Sequence, residues 1–210
     1  QVGVAALLST AVYMATVLLG LFILIALYLA VAAWTGTPPL RFLRATREPL
    51  LLAFSTSSSA AVMPVTLTTV VGKLGVHANV ARFVIPLGTT INMGGTALYQ
   101  GVAALFLAQV YGVDIGLAGM VLIIVMATGA AIGSPGTPGV GIVILSTILA
   151  SIGVPPSGIA IILGVDRLLN MCRTVANVAG DMVASQFVSR YAERAVTLTP
   201  APATITEHAE

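Results

Sequence analysis

The chain has 210 residues and a net charge of +2; 58% of its residues are hydrophobic and only 8% are charged. A soluble domain carries about 25% charged residues, and the mean hydropathy of this chain is +1.04. The composition therefore excludes an ordinary soluble enzyme or nucleic-acid-binding module and favours a protein whose solvent is the lipid bilayer. The single cysteine, Cys172, also excludes a disulfide framework or a Cys-based metal site.

Long stretches without charge predict several membrane spans. Residues 3–34, 49–71, 83–113 and 115–165 contain no charged side chain, and a transmembrane helix needs roughly 20 apolar residues. The first stretch predicts a full span over 3–34. It is too long for a cleaved signal peptide and no basic segment precedes it. Because the sequence opens directly into this stretch without an initiator methionine, we expect further spans upstream.

The basic residues indicate which side of the membrane each loop occupies. Seven of the nine lie in the loops 35–48 and 73–82 and at the C-terminal end, whereas the polar breaks 112–116 and 153–158 contain none. The positive-inside rule places the first group in the cytoplasm and the second outside. A cytoplasmic C-terminus is therefore predicted.

Two apolar stretches are interrupted, and we predict that they form re-entrant helical hairpins. Residues 49–75 contain a serine-rich run at 55–59 and Pro64, and both of their ends fall in basic, cytoplasmic loops. Residues 116–154 contain the Gly/Pro-rich run 133–139, and both of their ends fall in external loops. A single crossing would separate the two ends. Non-helical backbone at this depth requires surrounding protein or a water-filled cavity.

Full spans are predicted over 82–111 and 157–190, and residues 195–210 are predicted to be a disordered cytoplasmic tail. The glycine-rich run 88–96 favours local unwinding, since three glycines and an asparagine are costly in a regular helix. The predicted fold is thus an all-α membrane protein. One transmembrane helix precedes an inverted repeat of hairpin plus span, an organisation typical of secondary transporters.

The last predicted span carries most of the polar chemistry. At about 100° per residue, its polar residues share one stripe, with Arg167 at the margin. Ionisable residues inside a membrane are expensive and indicate a substrate or ion path, although Asp–Arg pairs that hold helices together are an alternative. Arg173 can bind a carboxylate bidentately, and Asp181 with Asn177 offers oxygen ligands for a small cation. The polar stripe comprises Asp166, Asn170, Arg173, Thr174, Asn177 and Asp181.

The hairpin tips allow two interpretations. The serine run is compatible with plain helix packing, but backbone N–H groups at a tip can also face an anion. The Gly/Pro tip is a natural hinge for a gate. The sequence contains no G-x-S-x-G, H-E-x-x-H or Walker pattern, and His77 and His208 are expected on the surface. We therefore expect no enzyme activity and no cofactor.

Four segments resemble, in chain order, the motifs of the dicarboxylate/amino acid:cation symporters, the glutamate-transporter family. Residues 53–64 resemble its serine-rich first hairpin, and 92–96 its Asn-Met-Asp-Gly-Thr motif. Residues 133–141 resemble its second hairpin tip and 166–181 its last helix, so the match covers nearly all of residues 1–192.

The resemblance implies an elevator-type homotrimer in a prokaryotic inner membrane that imports an acidic solute with Na⁺ or H⁺. Residues 1–194 would be the C-terminal part of its transport domain, the trimerisation scaffold would lie outside this sequence, and the second hairpin would be the external gate. The implied substrate ligands are Ser58, Ser59, Thr96, Gly141, Asn170, Arg173, Thr174 and Asn177. The implied cation ligands are Gly88, Thr90, Asn92, Ile132, Ser134, Asn177 and Asp181.

Two positions depart from the family pattern. Asn170 stands where the amino-acid transporters place the aspartate that holds the substrate ammonium. A desolvated ammonium without a charge partner costs about 3–5 kcal/mol, a factor on the order of 10² to 10³ in affinity. This favours a C4-dicarboxylate such as malate, succinate or fumarate over glutamate or aspartate. Gly94 replaces a cation-binding aspartate, which favours fewer coupled Na⁺ ions or H⁺ coupling.

Three alternatives stay open at the level of sequence. Members of this family can conduct anions, so one is a gated anion channel. A second is a non-transporting membrane subunit, suggested by the two missing aspartates. The third is a symporter of the same family for acidic or neutral amino acids.

Overall fold

The described residues, 2–134, 136–137 and 139–198 of a computed structural model, form helices and no strands. The prediction of an all-α chain is thereby confirmed. Residues 195–198 of the predicted tail continue the last helix, and 199–210 lie outside the described residues. The α-helices are α1 (Val2–Trp34), α2 (Pro39–Thr56), α3 (Ser59–Leu74), α4 (Ala78–Ile91), α5 (Gly94–Val110), α6 (Leu117–Ala131), α7 (Val140–Ser151) and α8 (Leu163–Leu198).

Two stretches of the described chain are long and apolar enough to cross a bilayer, namely Leu7–Trp34 in α1 and Ala78–Val110, which joins α4 and α5. Only 11% of the α1 window is buried against the rest of the chain. Apolar residues such as Leu8, Val12 and Phe22 are exposed on α1. A helix that is apolar all round and largely uncovered needs lipid or further protein as its surroundings.

The α2–α3 pair begins earlier than the predicted hairpin. Helix α2 starts at Pro39, a residue suited to a first helical turn, so part of the segment predicted as the loop 35–48 forms one helix with the first arm of the hairpin. The chain reverses at Ser57, whose φ of 54° is left-handed. Ser58 then caps α3 by accepting a hydrogen bond from the Ala61 N–H at 3.2 Å.

The other segments show where the predicted spans are interrupted. Helix α4 ends at Ile91 and α5 restarts at Gly94, so the break falls inside the glycine-rich run. Helices α6 and α7 form a second pair, separated by the Gly/Pro-rich run 133–139. A short 3₁₀ helix, Pro156–Ile161, precedes α8 and replaces the first turns of the predicted last span.

Helix α8 is the central element of the fold, packing against α1, α2, α3, α4 and α5. One apolar cluster on α8 includes Leu169 and Ala176 and continues to Tyr99. The other includes Val178 and Met182. The polar stripe of α8 therefore runs inside the protein, flanked by apolar clusters that fix the helix in place.

A glycine allows α5 to lie directly against α8. A Cβ on Gly95 would be 2.7 Å from the Arg173 carbonyl oxygen, whereas a Cβ on Gly101, on the same helix, meets nothing within 4 Å. Overpacking of this kind typically costs about 1–3 kcal/mol, and alanine in an open helical position is favoured over glycine by up to about 1 kcal/mol.

Thermal unfolding in detergent should show a lower Tm for Gly95→Ala and an unchanged or higher Tm for Gly101→Ala. Equal Tm values would contradict this packing.

Candidate functional site

The two helix-pair tips, the α4–α5 break and the stripe of α8 surround one small polar cavity. Its volume is about 20 Å³, enough for about one water molecule. Most of the lining is polar or backbone, which suits a small, hydrophilic ligand once the tips separate. The lining residues are Ser57, Ser59, Met93, Thr96, Ser134, Gly136, Thr137, Val140, Gly141, Asn170, Arg173, Thr174 and Asn177.

The two tips touch each other through hydrogen bonds. The Ser58 hydroxyl donates to the Gly136 carbonyl at 2.8 Å, and the Ala60 N–H reaches the same carbonyl at 3.4 Å. The Gly133 N–H donates to the Thr90 carbonyl at 2.7 Å and ties the α6–α7 tip to the end of α4. The tips therefore meet at the cavity, and a ligand larger than a water molecule requires them to separate, because the volume is only about 20 Å³.

Arg173 brings a buried positive charge to the cavity. Its side chain is 4% exposed, and its Nε donates to Asn170 Oδ1 at 3.0 Å. Its Nη1 has no hydrogen-bond partner within the described residues. Gly141 lets α7 approach, since a Cβ there would lie 2.5 Å from Nη1. A buried charged donor without a partner is costly, so this end of the guanidinium is chemically able to take an anion as its partner.

Asn177 fixes the opposite wall of the cavity. Its Oδ1 accepts from the Gly95 N–H at 2.8 Å, and its Nδ2 donates to Thr96 Oγ1 at 3.0 Å. These bonds hold the start of α5 against α8, and the Thr96 hydroxyl itself donates to the Met93 sulfur at 3.9 Å. The Thr174 hydroxyl instead donates to the Asn170 carbonyl of its own helix at 2.8 Å.

A second, acidic pole lies at the α4–α5 break. Asp181 is 2% exposed, and its Oδ1 accepts from Asn92 Nδ2 at 3.0 Å. A Cβ on Gly88 would be 2.5 Å from that same oxygen, so the carboxylate lies directly on the α4 backbone. The described residues contain no group of three or more His, Cys, Asp or Glu that could hold a metal. One carboxylate with amide and carbonyl oxygens suits a small monovalent cation better than a transition metal.

The remaining predicted cation ligands, Thr90, Ile132 and Ser134, are more spread out than the groups around Asp181. The Gly133–Thr90 bond joins the backbone of the α6–α7 tip to α4. The Ile132 side chain is exposed, Ser134 is buried, and the Thr90 hydroxyl donates to the Leu87 carbonyl. An ion bound here would be coordinated by backbone oxygens of residues 132–134. The Thr90 carbonyl already accepts the hydrogen bond from the Gly133 N–H.

Several residues at or next to the cavity were not predicted from the sequence. Ser57, rather than Ser58, lines the cavity, and its hydroxyl is buried without a partner in the described chain. Met93 also lines it, and the Tyr99 ring lies under the guanidinium, 4.5 Å from Arg173 Cζ. Tyr99 follows Thr96 by one helical turn, so i, i+3 spacing on the same face was the available signal.

The alternative of a structural Asp–Arg pair is not what the geometry shows. Asp166 accepts a hydrogen bond from the Tyr99 hydroxyl at 2.6 Å. Within the described residues the ion pair with N–O contact is Lys73–Glu48 at 3.1 Å, on the surface. The terminal nitrogens of Arg173 are therefore not paired with Asp166 on the same helix, and they remain available at the cavity.

Comparison with known proteins matches residues 1–191 to the model of the sodium:dicarboxylate symporter family. The chain is 41% identical over 184 residues to excitatory amino acid transporter 3 of Mus musculus, covering 87% of this chain and 35% of that protein. It is 39% identical over 170 residues to the proton/sodium-glutamate symport protein of Bacillus subtilis strain 168, covering 81% and 39% respectively. The neutral amino acid transporter B(0) of Mus musculus is 40% identical over 161 residues, covering 77% and 29%. The chain thus spans between 29% and 39% of the length of these relatives.

A substitution at Gly141 tests whether the guanidinium and α7 lie as close as they do here. Gly141→Ala places a methyl group on the Arg173 nitrogens and should weaken carboxylate binding by about tenfold, because overpacking costs about 1–3 kcal/mol. Gly129→Ala, in α6, meets nothing within 4 Å and is the control. The affinities of both variants for succinate and for aspartate are measured by calorimetric titration of the full-length protein. Equal affinities in the two variants would contradict this geometry.

Proposed function

Since the chain belongs to the sodium:dicarboxylate symporter family, we propose that it forms the solute- and cation-binding part of a secondary active symporter for a small acidic solute. The main support for this proposal is the position of the Arg173 guanidinium. Its guanidinium is almost fully buried, faces a cavity closed by two tips, and has an unpartnered Nη1 within the described residues. A buried cation in a bilayer protein is retained where it serves a ligand.

The cavity offers matching partners for a solute with two carboxylates. One carboxylate binds Arg173 in place of the missing hydrogen bond. The other binds at the serine tip, where the Ser57 hydroxyl is buried without a partner in the described chain and Ser59 lines the same wall. The Thr96 hydroxyl completes the site as a donor when it exchanges its long contact with the Met93 sulfur for the solute.

The acidic pole is the proposed cation site. Asp181, Asn92 and the carbonyls near Gly88 lie on the far side of Asn177 from the guanidinium. A Na⁺ held there would lower the electrostatic cost of bringing an anion into the low-dielectric interior, and the anion would do the same for Na⁺. Reciprocal binding of this kind is the thermodynamic basis of symport.

Asn170 favours a dicarboxylate over an amino acid. Its Oδ1 already accepts from Arg173 Nε at 3.0 Å, so the group that it turns towards a ligand is the donor NH₂. An ammonium is itself a donor and gains nothing there, whereas a carboxylate or hydroxyl does. Within the proposal the preferred solute is therefore a C4-dicarboxylate such as malate or succinate.

A symporter for acidic or neutral amino acids is the second candidate. It is favoured by the names of the three relatives, which include two glutamate or excitatory amino acid transporters and a neutral amino acid transporter. The two candidates differ in whether a group other than Asn170 holds an ammonium.

The position of Gly94 bears on the number of coupled ions. A Cβ at Gly94 would be 3.0 Å from the Tyr28 hydroxyl, so Tyr28 partly fills the space that an aspartate side chain would need. One oxygen-rich site is thereby lost, and we propose that fewer Na⁺ ions are coupled, or that H⁺ takes part.

The mechanism proposed for the whole protein is alternating access in a membrane-embedded homotrimer, with a cytoplasmic C-terminus. Residues 1–194 move as part of the transport domain in an elevator step, and the α6–α7 tip is the gate. Opening the gate breaks the Ser58–Gly136 and Gly133–Thr90 bonds. Bound solute and cation would add contacts between the gate and the α8 side of the cavity and so stabilise the closed arrangement further.

Uptake by the full-length protein in liposomes tests this function. Labelled malate and aspartate are supplied side by side, with and without an inward Na⁺ gradient at fixed pH. We expect Na⁺-driven accumulation of malate above its external concentration, with weak accumulation of aspartate. Equilibration without accumulation would indicate an anion channel, and equal uptake with and without Na⁺ would exclude Na⁺ coupling.

Substitution of Asn170 tests the solute preference. Asn170→Asp supplies a charge partner for an ammonium and a repulsive neighbour for a second carboxylate. The ratio of aspartate to malate uptake should therefore rise by a factor on the order of 10². Asn79→Asp, at an exposed position, is the matched control and should leave the ratio unchanged. If wild-type protein already takes up aspartate as well as malate, the role given to Asn170 is wrong.

A further inference from the structure

Tyr99 and Asp166 form a buried pair just behind the cavity. Tyr99 is fully buried on α5, Asp166 is 8% exposed on α8, and neither lines the cavity. The Tyr99 hydroxyl donates to Asp166 Oδ1 at 2.6 Å, a short distance typical of a charge-assisted bond. An aromatic hydroxyl and a carboxylate in this position need a reason, because both are expensive to bury.

The ring of Tyr99 separates the two buried charges. Arg173 Cζ lies 4.5 Å from the ring centroid, within the range of a cation–π contact, and Asp166 is held at the hydroxyl end of the same ring. The carboxylate therefore supplies a counter-charge to the guanidinium across the width of one side chain. A hydrogen bond to a carboxylate also polarises the phenol and strengthens its attraction for a cation.

The Tyr99 ring keeps Asp166 from forming a direct salt bridge with Arg173, and such a bridge would block the site. A carboxylate in contact with Arg173 would take the terminal N–H groups in a bidentate pair. Those are the groups that a solute carboxylate needs. With Tyr99 interposed, Arg173 has charge compensation while Nη1 stays without a partner within the described chain.

The remaining contact of the guanidinium completes its orientation. Arg173 Nε donates to Asn170 Oδ1 at 3.0 Å, which fixes one edge of the planar group, and the Tyr99 ring fixes one of its faces. The buried Tyr99 hydroxyl in turn fixes the ring. Removing the hydroxyl or the charge of Asp166 would loosen this arrangement without removing any group that touches the cavity.

We infer that Tyr99 and Asp166 are positioning residues that hold the Arg173 guanidinium with its terminal nitrogens towards the cavity, and that Asp166 is its counter-charge. The inference rests on the proposed function, in which Arg173 binds a solute carboxylate. It assigns Asp166 to the specificity of the site and not to helix packing or to the cation pole.

Two near-isosteric variants test the pair in the full-length protein. Tyr99→Phe keeps the ring beneath the guanidinium and removes the bond to Asp166. Asp166→Asn keeps an acceptor for the hydroxyl and removes the charge. We expect each to lower roughly tenfold the affinity for succinate and aspartate. Succinamide and the diamide of aspartic acid, which have no carboxylate to place on the guanidinium, should be affected less than twofold.

The readout is the affinity ratio of each acid to its amide analogue, measured by calorimetric titration with a fixed Na⁺ concentration. General structural damage would weaken acid and amide alike, whereas loss of guanidinium positioning lowers the ratio. Tyr111→Phe and Asp114→Asn, both exposed, are the matched controls and should not change it. Asp166→Glu, which restores the charge, should recover part of the ratio.

Arg173→Ala in parallel separates this inference from the proposed function. A ratio unchanged in Arg173→Ala would mean that Arg173 does not bind the solute carboxylate, which overturns both. A ratio that collapses in Arg173→Ala but stays within twofold of wild type in Tyr99→Phe and Asp166→Asn would overturn the positioning role alone. If Asp166→Asn fails to fold, Tyr99→Phe decides the result by itself.

Discussion

The burial of one guanidinium is the constraint on which the rest of the site depends. Arg173 is 4% exposed on a helix flanked by apolar clusters, and an uncompensated charge there would cost several kcal/mol. The protein compensates it from behind, with the Tyr99 ring and the Asp166 carboxylate, and from the side, with Asn170. Only the face towards the cavity is left for a ligand. An anion is therefore favoured by the electrostatics before any particular solute is considered.

Close backbone approach is the second requirement, and glycine supplies it at three places. A side chain at Gly88, Gly95 or Gly141 would collide with Asp181, with the α8 backbone or with the Arg173 guanidinium respectively. Each glycine thus brings a neighbouring helix within hydrogen-bonding range of α8. The cation pole and the anion-binding end consequently lie on one helix, separated by Asn177, which is hydrogen-bonded to the start of α5.

Much of this arrangement is predictable from local sequence, and the remainder depends on contacts between distant segments. The shared face of Arg173 and Asp181 follows from helical periodicity, and the α4–α5 break follows from its glycines. In contrast, Ser57 lines the cavity in place of Ser58 because the Ser58 hydroxyl is bonded to Gly136, 78 residues away. Tyr99 was likewise missed. Its spacing from Thr96 could have placed it on the same face of α5, but that a cation from another helix lies on its ring depends on the packing of α5 against α8.

In the proposed mechanism, an acidic solute and Na⁺ bind at two neighbouring poles of α8 and favour each other's binding. The most direct measurement is the dependence of the succinate Kd on Na⁺ concentration, in wild-type full-length protein and in Asp181→Asn. We predict that the Kd falls steeply as Na⁺ rises in the wild type and that this dependence weakens or disappears in Asp181→Asn. A succinate Kd that does not change with Na⁺, or that changes equally in both proteins, would contradict it.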